Sequence, residues 1–337
     1  LQSLSIPPSL PSSLAAIVLV GASFLDFLLG DPWSWLHPVQ VMGWIIERSS
    51  DRILKFSARP LWRKIGGIGL GSLVIGGSGA AGWLLAGGLT QLNLWLGAIA
   101  QMIMVASCMA GRSLRLAAIS VLNPLQAGDL ARSRSQLSRY VGRDTQDLNE
   151  GEILRAVLET VAENSVDGVT APLFYALIGA FLPGYSLVAL PLAYKAASTL
   201  DSMIGYQREP YRDLGWFSAK VDDVLTWLPC RFTVLTLALI ARKPRQVWRI
   251  CQRDAPKDPS PNSGWSEGVY AAILGVQLGG INYYQKIRRE KPLLGDAIAN
   301  ITPTTIKQAL GLTRTCCLVW LGLTWGGLLV RGLLVGS

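Results

Sequence analysis

IGGIGLGSLVIGGSGAAGWLLAGGLTQLNLWLGAIAQMIMVASCMAG, residues 65–111, contains no charged side chain. A bilayer core about 30 Å thick is crossed by about 20 apolar residues of helix. The run is too long for one crossing and fits two, with a turn expected near Thr90 to Asn93. Its glycines, including Gly67-x-x-x-Gly71, suit the close approach of helices in lipid. Gly77 to Gly82 also matches G-x-G-x-x-G, but a dinucleotide site needs a strand before it and an acidic residue about 20 positions on. Inside an apolar run the match reads as a packing feature. No G-x-x-x-x-G-K-[ST] loop occurs anywhere in the chain.

Outward from this segment, Leu14 to Gly30 is a marginal span carrying Asp26, and Thr315 to Val335 is a plain one. Val169 to Ala193 is interrupted by Pro183-Gly184 and reads as two half-helices or one bent span. Val224 to Ala241 contains Pro229 and Arg231. An arginine at mid-membrane is costly, so this helix is expected to line a polar cavity or to be re-entrant. The residues from Leu1 to Pro11 lack a positive leader region, so the run from Leu14 is expected to be retained. The expected fold is all-α: one polytopic membrane-embedded domain over residues 1–337, with about five to seven embedded helices and polar cytoplasmic loops.

Composition agrees: 50% of the 337 residues are hydrophobic and 16% charged, with a mean hydropathy of +0.35. The net charge of +9 sits mostly between apolar runs. That pattern points to anionic headgroups and the positive-inside rule, and away from nucleic acid. The loops 43–64 and 112–168 hold six and seven Lys or Arg and are expected to share the cytoplasmic face. The five cysteines form no C-x-x-C pair and read as buried apolar residues.

Three polar islands carry the candidate chemistry. In Arg143 to Gly168, Asp147 followed by Glu150 reads as a helix cap. The helix then brings Glu152, Glu159 and Glu163 within about 20° of one line, flanked by Arg155 and Asp167. A solvated acidic face explains such a stripe. So does a magnesium site, because Mg²⁺ takes one or two carboxylates plus phosphate oxygens. The helix enters a membrane segment through Asn164 and Asp167, which favours a use for the carboxylates. Tyr194 to Asp223 gathers Lys195, Asp201, Tyr206, Arg208, Arg212, Lys220, Asp222 and Asp223, which are donors for phosphate and ligands for metal. A juxtamembrane collar would also be charged, but Arg231 in the next apolar run needs a partner. Arg253 to Glu267 offers Lys257, Ser260, Asn262 and Ser263 on a segment expected to be non-helical. His37 is the chain's single histidine and reads as structural, so histidine-based metal centres are excluded.

These islands resemble the CbiB/CobD family of cobalamin biosynthesis proteins, the adenosylcobinamide-phosphate synthases. The resemblance rests on GDPWSWLHPVQVMG (30–43), GRDTQDLNEGEILRAVLETVAENSVDGVTAPLFYALIG (142–179), YKAASTLDSMIGYQREPYRDLGWFSAKVDDVLTWLPCRFT (194–233) and SPNSGWSEGVYAAILGVQLGG (260–280). It implies an ATP-dependent, magnesium-requiring ligase of the cytoplasmic membrane with its active site on the cytoplasmic side. This enzyme would join adenosylcobyric acid, a corrinoid, to (R)-1-amino-2-propanol phosphate or a related amino-alcohol phosphate. Glu159, Glu163, Asp167, Asp201, Asp222 and Asp223 are the expected catalytic residues, with Glu159, Glu163, Asp222 and Asp223 on magnesium. His37, Arg143, Asn164, Lys195, Tyr206, Arg208, Arg212, Lys220, Arg231, Asn262 and Glu267 are expected to bind substrate. The competing readings are a solute transporter, suggested by the broken helices, and a non-catalytic membrane relative. No repeat relates the two halves of the chain, which disfavours the transporter.

Overall fold

The computed structural model describes residues 10–30, 37–56 and 59–335. Asp31 to Leu36 of the first motif lie outside them. Along the chain run helices α1 (Ser12–Leu29), α2 (Pro38–Phe56), α3 (Pro60–Leu92), α4 (Leu94–Ala106), α5 (Gly111–Gln126), α6 (Leu130–Leu137) and α7 (Glu150–Ser165). A π-helical turn at Val166–Thr170 leads into α8 (Ala171–Phe181), α9 (Ser186–Ile204), α10 (Trp216–Ile240), α11 (Pro244–Asp254) and α12 (Ser263–Leu274). Strands β1 (Leu278–Tyr284) and β2 (Ile287–Leu294) and helix α13 (Pro303–Val335) complete it. Among the described residues, five stretches are long and apolar enough to cross a membrane: Ser12–Leu29, Pro60–Leu92, Leu94–Gln126, Trp216–Ile240 and Pro303–Leu334. Their outward side chains stay apolar, with Leu73, Leu84, Val224, Leu323 and Leu333 all more than two-thirds exposed. A water-soluble helix would bury such a surface; in hydrocarbon it has no reason to. The protein is an all-α polytopic membrane protein with one small hairpin.

The chain forms two compact units. The first comprises Leu1–Ala110, Ala171–Leu225 and Val319–Ser337. Here the uncharged run divides at Asn93, within the expected turn. The Asn93 side chain accepts from the N–H groups of Trp95 and Leu96 (2.9 and 3.1 Å) and so starts α4. Glycines let α3 approach its neighbours. A methyl group on Gly67 would lie 1.9 Å from the Leu214 carbonyl oxygen, and one on Gly82 would lie 2.4 Å from Leu192. The Pro183-Gly184 interruption is a complete break: α8 and α9 are separate helices packed on each other. Gly184 has φ +68°, and the Trp83 ring fills the place of any side chain there. At 11 residues α8 is too short to cross a bilayer.

The second unit is Gly111–Thr170 with Thr226–Leu318. Several segments read as loops are ordered here, because buried apolar positions recur along them at helical spacing. α5 and α6 join the expected helix, α7, across most of residues 112–168, with Leu114, Ala118, Val121 and Leu122 buried on α5 and Ile153, Leu154, Val157, Leu158 and Val161 on α7. In the first unit, likewise, α2 and the start of α3 occupy residues 43–64. The island 253–267 is also more helical than expected. α11 reaches Asp254, a single 3₁₀ turn spans Ala255–Lys257, and α12 begins at Ser263. Pro229 leaves α10 unbroken, and the Thr233 hydroxyl donates to the Pro229 carbonyl at 2.8 Å.

The cap of α7 lies two residues beyond the expected Asp147. Asn149 accepts from the Glu152 N–H (2.9 Å), and the Glu152 carboxylate accepts from the Asn149 N–H (2.8 Å), a reciprocal capping box. Asn149→Ala should therefore lower stability by about 1 kcal/mol, whereas Asp147→Ala should change it by less than about 0.5 kcal/mol. Thermal unfolding of the two variants in one detergent separates these assignments.

Candidate functional site

In the second unit, three helical turns of α7 present Arg155, Glu159 and Glu163 at intervals of four residues. Glu159 is 2% exposed and both of its oxygens are engaged. Arg143 and Arg155 form ion pairs with it, the latter at 3.3 Å, and the Gly279 N–H donates to it at 2.9 Å. The two guanidinium groups then reach β1. Arg143 donates to the Asn282 side-chain oxygen at 2.9 Å, and Arg155 donates to that oxygen at 3.1 Å, to the Gly279 carbonyl and to the Ile281 carbonyl at 3.0 Å. Such full engagement makes Glu159 an organiser of cations, with no oxygen left over for a metal.

β1 reaches this position through an antiparallel hairpin pairing Tyr284 with Ile287 and Gly280 with Lys291. Its two-residue turn, Gln285-Lys286, has φ of 52° and 65°. That is the geometry usually given to Asn-Gly. The Asp144 carboxylate compensates by accepting from both turn N–H groups, at 3.1 and 2.7 Å. Gly279 is also required, since with φ +87° a methyl group there would lie 2.0 Å from the Pro292 carbonyl oxygen.

β2 contributes Lys291 and α12 contributes Glu267, 2.5 Å apart. Glu267 is wholly buried, and its second oxygen, Oε2, has no hydrogen-bond partner among the described residues. Burial raises its carboxyl to about 8 against the opposing charge of Lys291, while Glu163 and Glu159 push it the same way. Lys291 is raised in turn by Glu267 and Glu163, against its own desolvation. Glu163 keeps solvent-accessible surface but sits deep in protein. That setting raises its carboxyl, with Lys291 opposing and Asp258 and Glu159 reinforcing. Asn164 donates to the Thr160 carbonyl (2.9 Å), and Asp167 is the half-buried residue of an otherwise buried π-helical turn.

Arg231 is held by neutral groups. It donates to the Pro261 carbonyl (2.8 Å) and the Asn262 side-chain oxygen (3.3 Å), and lies over the rings of Trp265 and Trp227 at 4.5 and 5.0 Å. Asp258 accepts from the Ser260 N–H and the Ser263 hydroxyl, so this island is spent largely on starting α12. Nearby, buried Asp254 binds Arg253, Lys257 and the Gly295 N–H. Burial would raise its carboxyl, but these donors hold it at about 2.

The other expected residues belong to the first unit. His37 caps α2, its Nδ1 accepting from the Val39 N–H at 3.3 Å. Lys195 and Asp201 lie half-buried on α9. Tyr206 donates to the Ser202 carbonyl, and Arg208 lies over its ring. Arg212 pairs with Glu209 at 3.7 Å and Lys220 with Asp223 at 3.6 Å, while Asp222 is half-buried on α10. Sequence reasoning missed Lys291, Asn282 and Asp254. The hairpin offered no Asn-Gly signal, and its charged outer strand hid the alternation.

Glu267 supports a pH test. The folded chain retains a proton that the unfolded chain, with an ordinary carboxyl near 4.5, has released. Stability should therefore fall as pH rises from about 4.5 to about 8. Glu267→Gln should flatten that fall in unfolding midpoints taken across the range.

A family model described as CobD/Cbib protein matches residues 19–313. The chain is 54% identical over 323 residues to the cobalamin biosynthesis protein CobD of Synechocystis sp., covering 95% of this chain and 94% of that one. It is 42% identical over 303 residues to the CobD of Yersinia enterocolitica, covering 88% and 93%. With the cobalamin biosynthesis protein CbiB of Salmonella typhimurium the figures are 40% over 304 residues, 89% and 91%. No solved structure matches. By near-complete coverage, the chain belongs to the CobD/CbiB family of cobalamin biosynthesis proteins.

Proposed function

We propose that this protein is a ligase of cobalamin biosynthesis that joins the free carboxylate of adenosylcobyric acid to the amine of (R)-1-amino-2-propanol phosphate, consuming ATP. The observation that carries the reading is 54% identity, over almost the whole chain, to a relative named for that biosynthesis. A carboxylate does not condense with an amine at neutral pH until a better leaving group replaces its oxygen. Phosphoryl transfer from ATP provides one, and its catalysis rests on positioning and electrostatics.

The second unit offers groups suited to this work. Magnesium held mainly by phosphates takes one or two protein carboxylates. Glu163 fits, being solvent-facing and without a partner among the described residues, whereas Glu159 is saturated. Bound there, the ion would offset the negative charge of the transferring phosphoryl group. The amine must shed a proton to complete the bond. Glu267, with an unpartnered oxygen and a carboxyl near 8, is matched to accept it near neutrality. Lys291 keeps that carboxylate in place and has two further N–H donors to offer an anion. In the first unit, Lys195 and Arg208 have no ion-pair partner among the described residues and are suited to phosphate. The basic segments would place this chemistry on the cytoplasmic face.

The test incubates purified, folded protein with adenosylcobyric acid, the amino-alcohol phosphate, ATP and magnesium, and identifies the product by mass. Amide product with ADP is expected, and its absence overturns the reading. Glu163→Gln should lower kcat by about a hundredfold or more with an unchanged unfolding midpoint.

A further inference from the structure

We propose that α11, with the turn that precedes it, is a binding surface for anionic phospholipid headgroups at the membrane boundary. α10 presents apolar side chains outward as far as Leu239, which is 57% exposed. Lipid contact therefore reaches to within three residues of Arg242, and α11 begins two residues later. Chain connectivity alone sets this helix at headgroup level.

The helix is divided lengthwise. Val247, Ile250, Cys251 and Asp254 are buried, and α11 packs on α12. Arg245, Trp248, Arg249 and Gln252 are all exposed, and at about 100° per residue they fall within an arc of about 100°. Exposed Trp248 between two arginines is the composition of an interfacial helix. Arg253, Lys257 and Lys243 on the same segment are taken up by Asp254, Asp296 and the Ile273 carbonyl. Arg242, Arg245 and Arg249 have no acidic partner among the described residues, so this surface carries positive charge without internal compensation.

Arg242 adds an independent indication. α10 ends with the Lys243 N–H donating to the Ala238 carbonyl and with Arg242 in the left-handed region at φ 55°. Glycine is the residue that this ending favours. A strained arginine at the lipid edge indicates that its charge has a use beyond ending the helix.

The experiment uses the full chain in a neutral detergent and measures retained lipid by native mass spectrometry, with phosphatidylglycerol and phosphatidylcholine supplied equally. Wild type should retain phosphatidylglycerol preferentially, and the triple variant R242G/R245Q/R249Q should lose that preference by at least about tenfold, since each cation near an anionic surface is worth roughly fivefold. Because R242G relieves backbone strain and the other two sites are exposed, the unfolding midpoint should hold. R242K/R245K/R249K should keep the preference. Equal retention of both lipids by wild type, or undiminished preference in the triple variant, overturns the proposal.

Discussion

Glu159 is one buried carboxylate on which three parts of the second unit depend. It faces two guanidinium groups and a backbone N–H, from a loop, from its own helix and from the first strand of a hairpin. Removing water from such a group costs several kcal/mol, and the cost is recovered only when its lone pairs are fully used, as they are here. The same guanidinium groups then take Asn282 and two carbonyls of β1, fixing the hairpin on α7. Since β2 is registered to β1, the location of Lys291 beside Glu267 follows from this anchor.

The three glutamates on one face of α7 show how identical chemistry divides by context. Glu152 is near the start of the helix, where free N–H groups await an acceptor, and it completes the capping box. Glu159 lies about two turns further on, under the hairpin, and becomes the anchor. Glu163 comes after the last of these contacts and retains an open carboxylate. Among the described residues it has neither oxygen engaged and it lies beside Lys291 and Glu267, which is why the proposed magnesium site rests on it.

Much of the fold was legible in the sequence because hydrocarbon imposes a simple requirement: long uncharged runs must be helices. The division of residues 65–111 at Asn93 and the break at Pro183-Gly184 could both be read from residue type. The polar segments were harder. α5 and α7 bury apolar residues at helical spacing, yet their arginines and acids made them read as loops or as surface. The hairpin was invisible because its turn uses Gln285-Lys286, stabilised from a distance by Asp144, and no local residue choice announces that. For the candidate site, the acidic stripe could be seen but not its partition. Which oxygen is spent on Arg143 and which stays open depends on contacts more than 100 residues apart, such as Gly279 with Glu159.

The net charge of +9 acquires a different meaning once these pairings are known. Around Glu159, Arg143, Arg155 and Lys291 face Glu159, Glu163 and Glu267, so formal charges balance there once all three carboxyls are ionised. Around Asp254, Arg253 and Lys257 face Asp254 and Asp296, and they balance again. The excess must therefore reside on outer surfaces such as the exposed face of α11. A balanced interior cannot gather anions through bulk potential, because the field of each cation is cancelled within a few ångströms. Selection of anions then falls to individual donors with capacity to spare, such as Lys291 in this cluster, while the uncompensated cations of α11 are those proposed to meet headgroups.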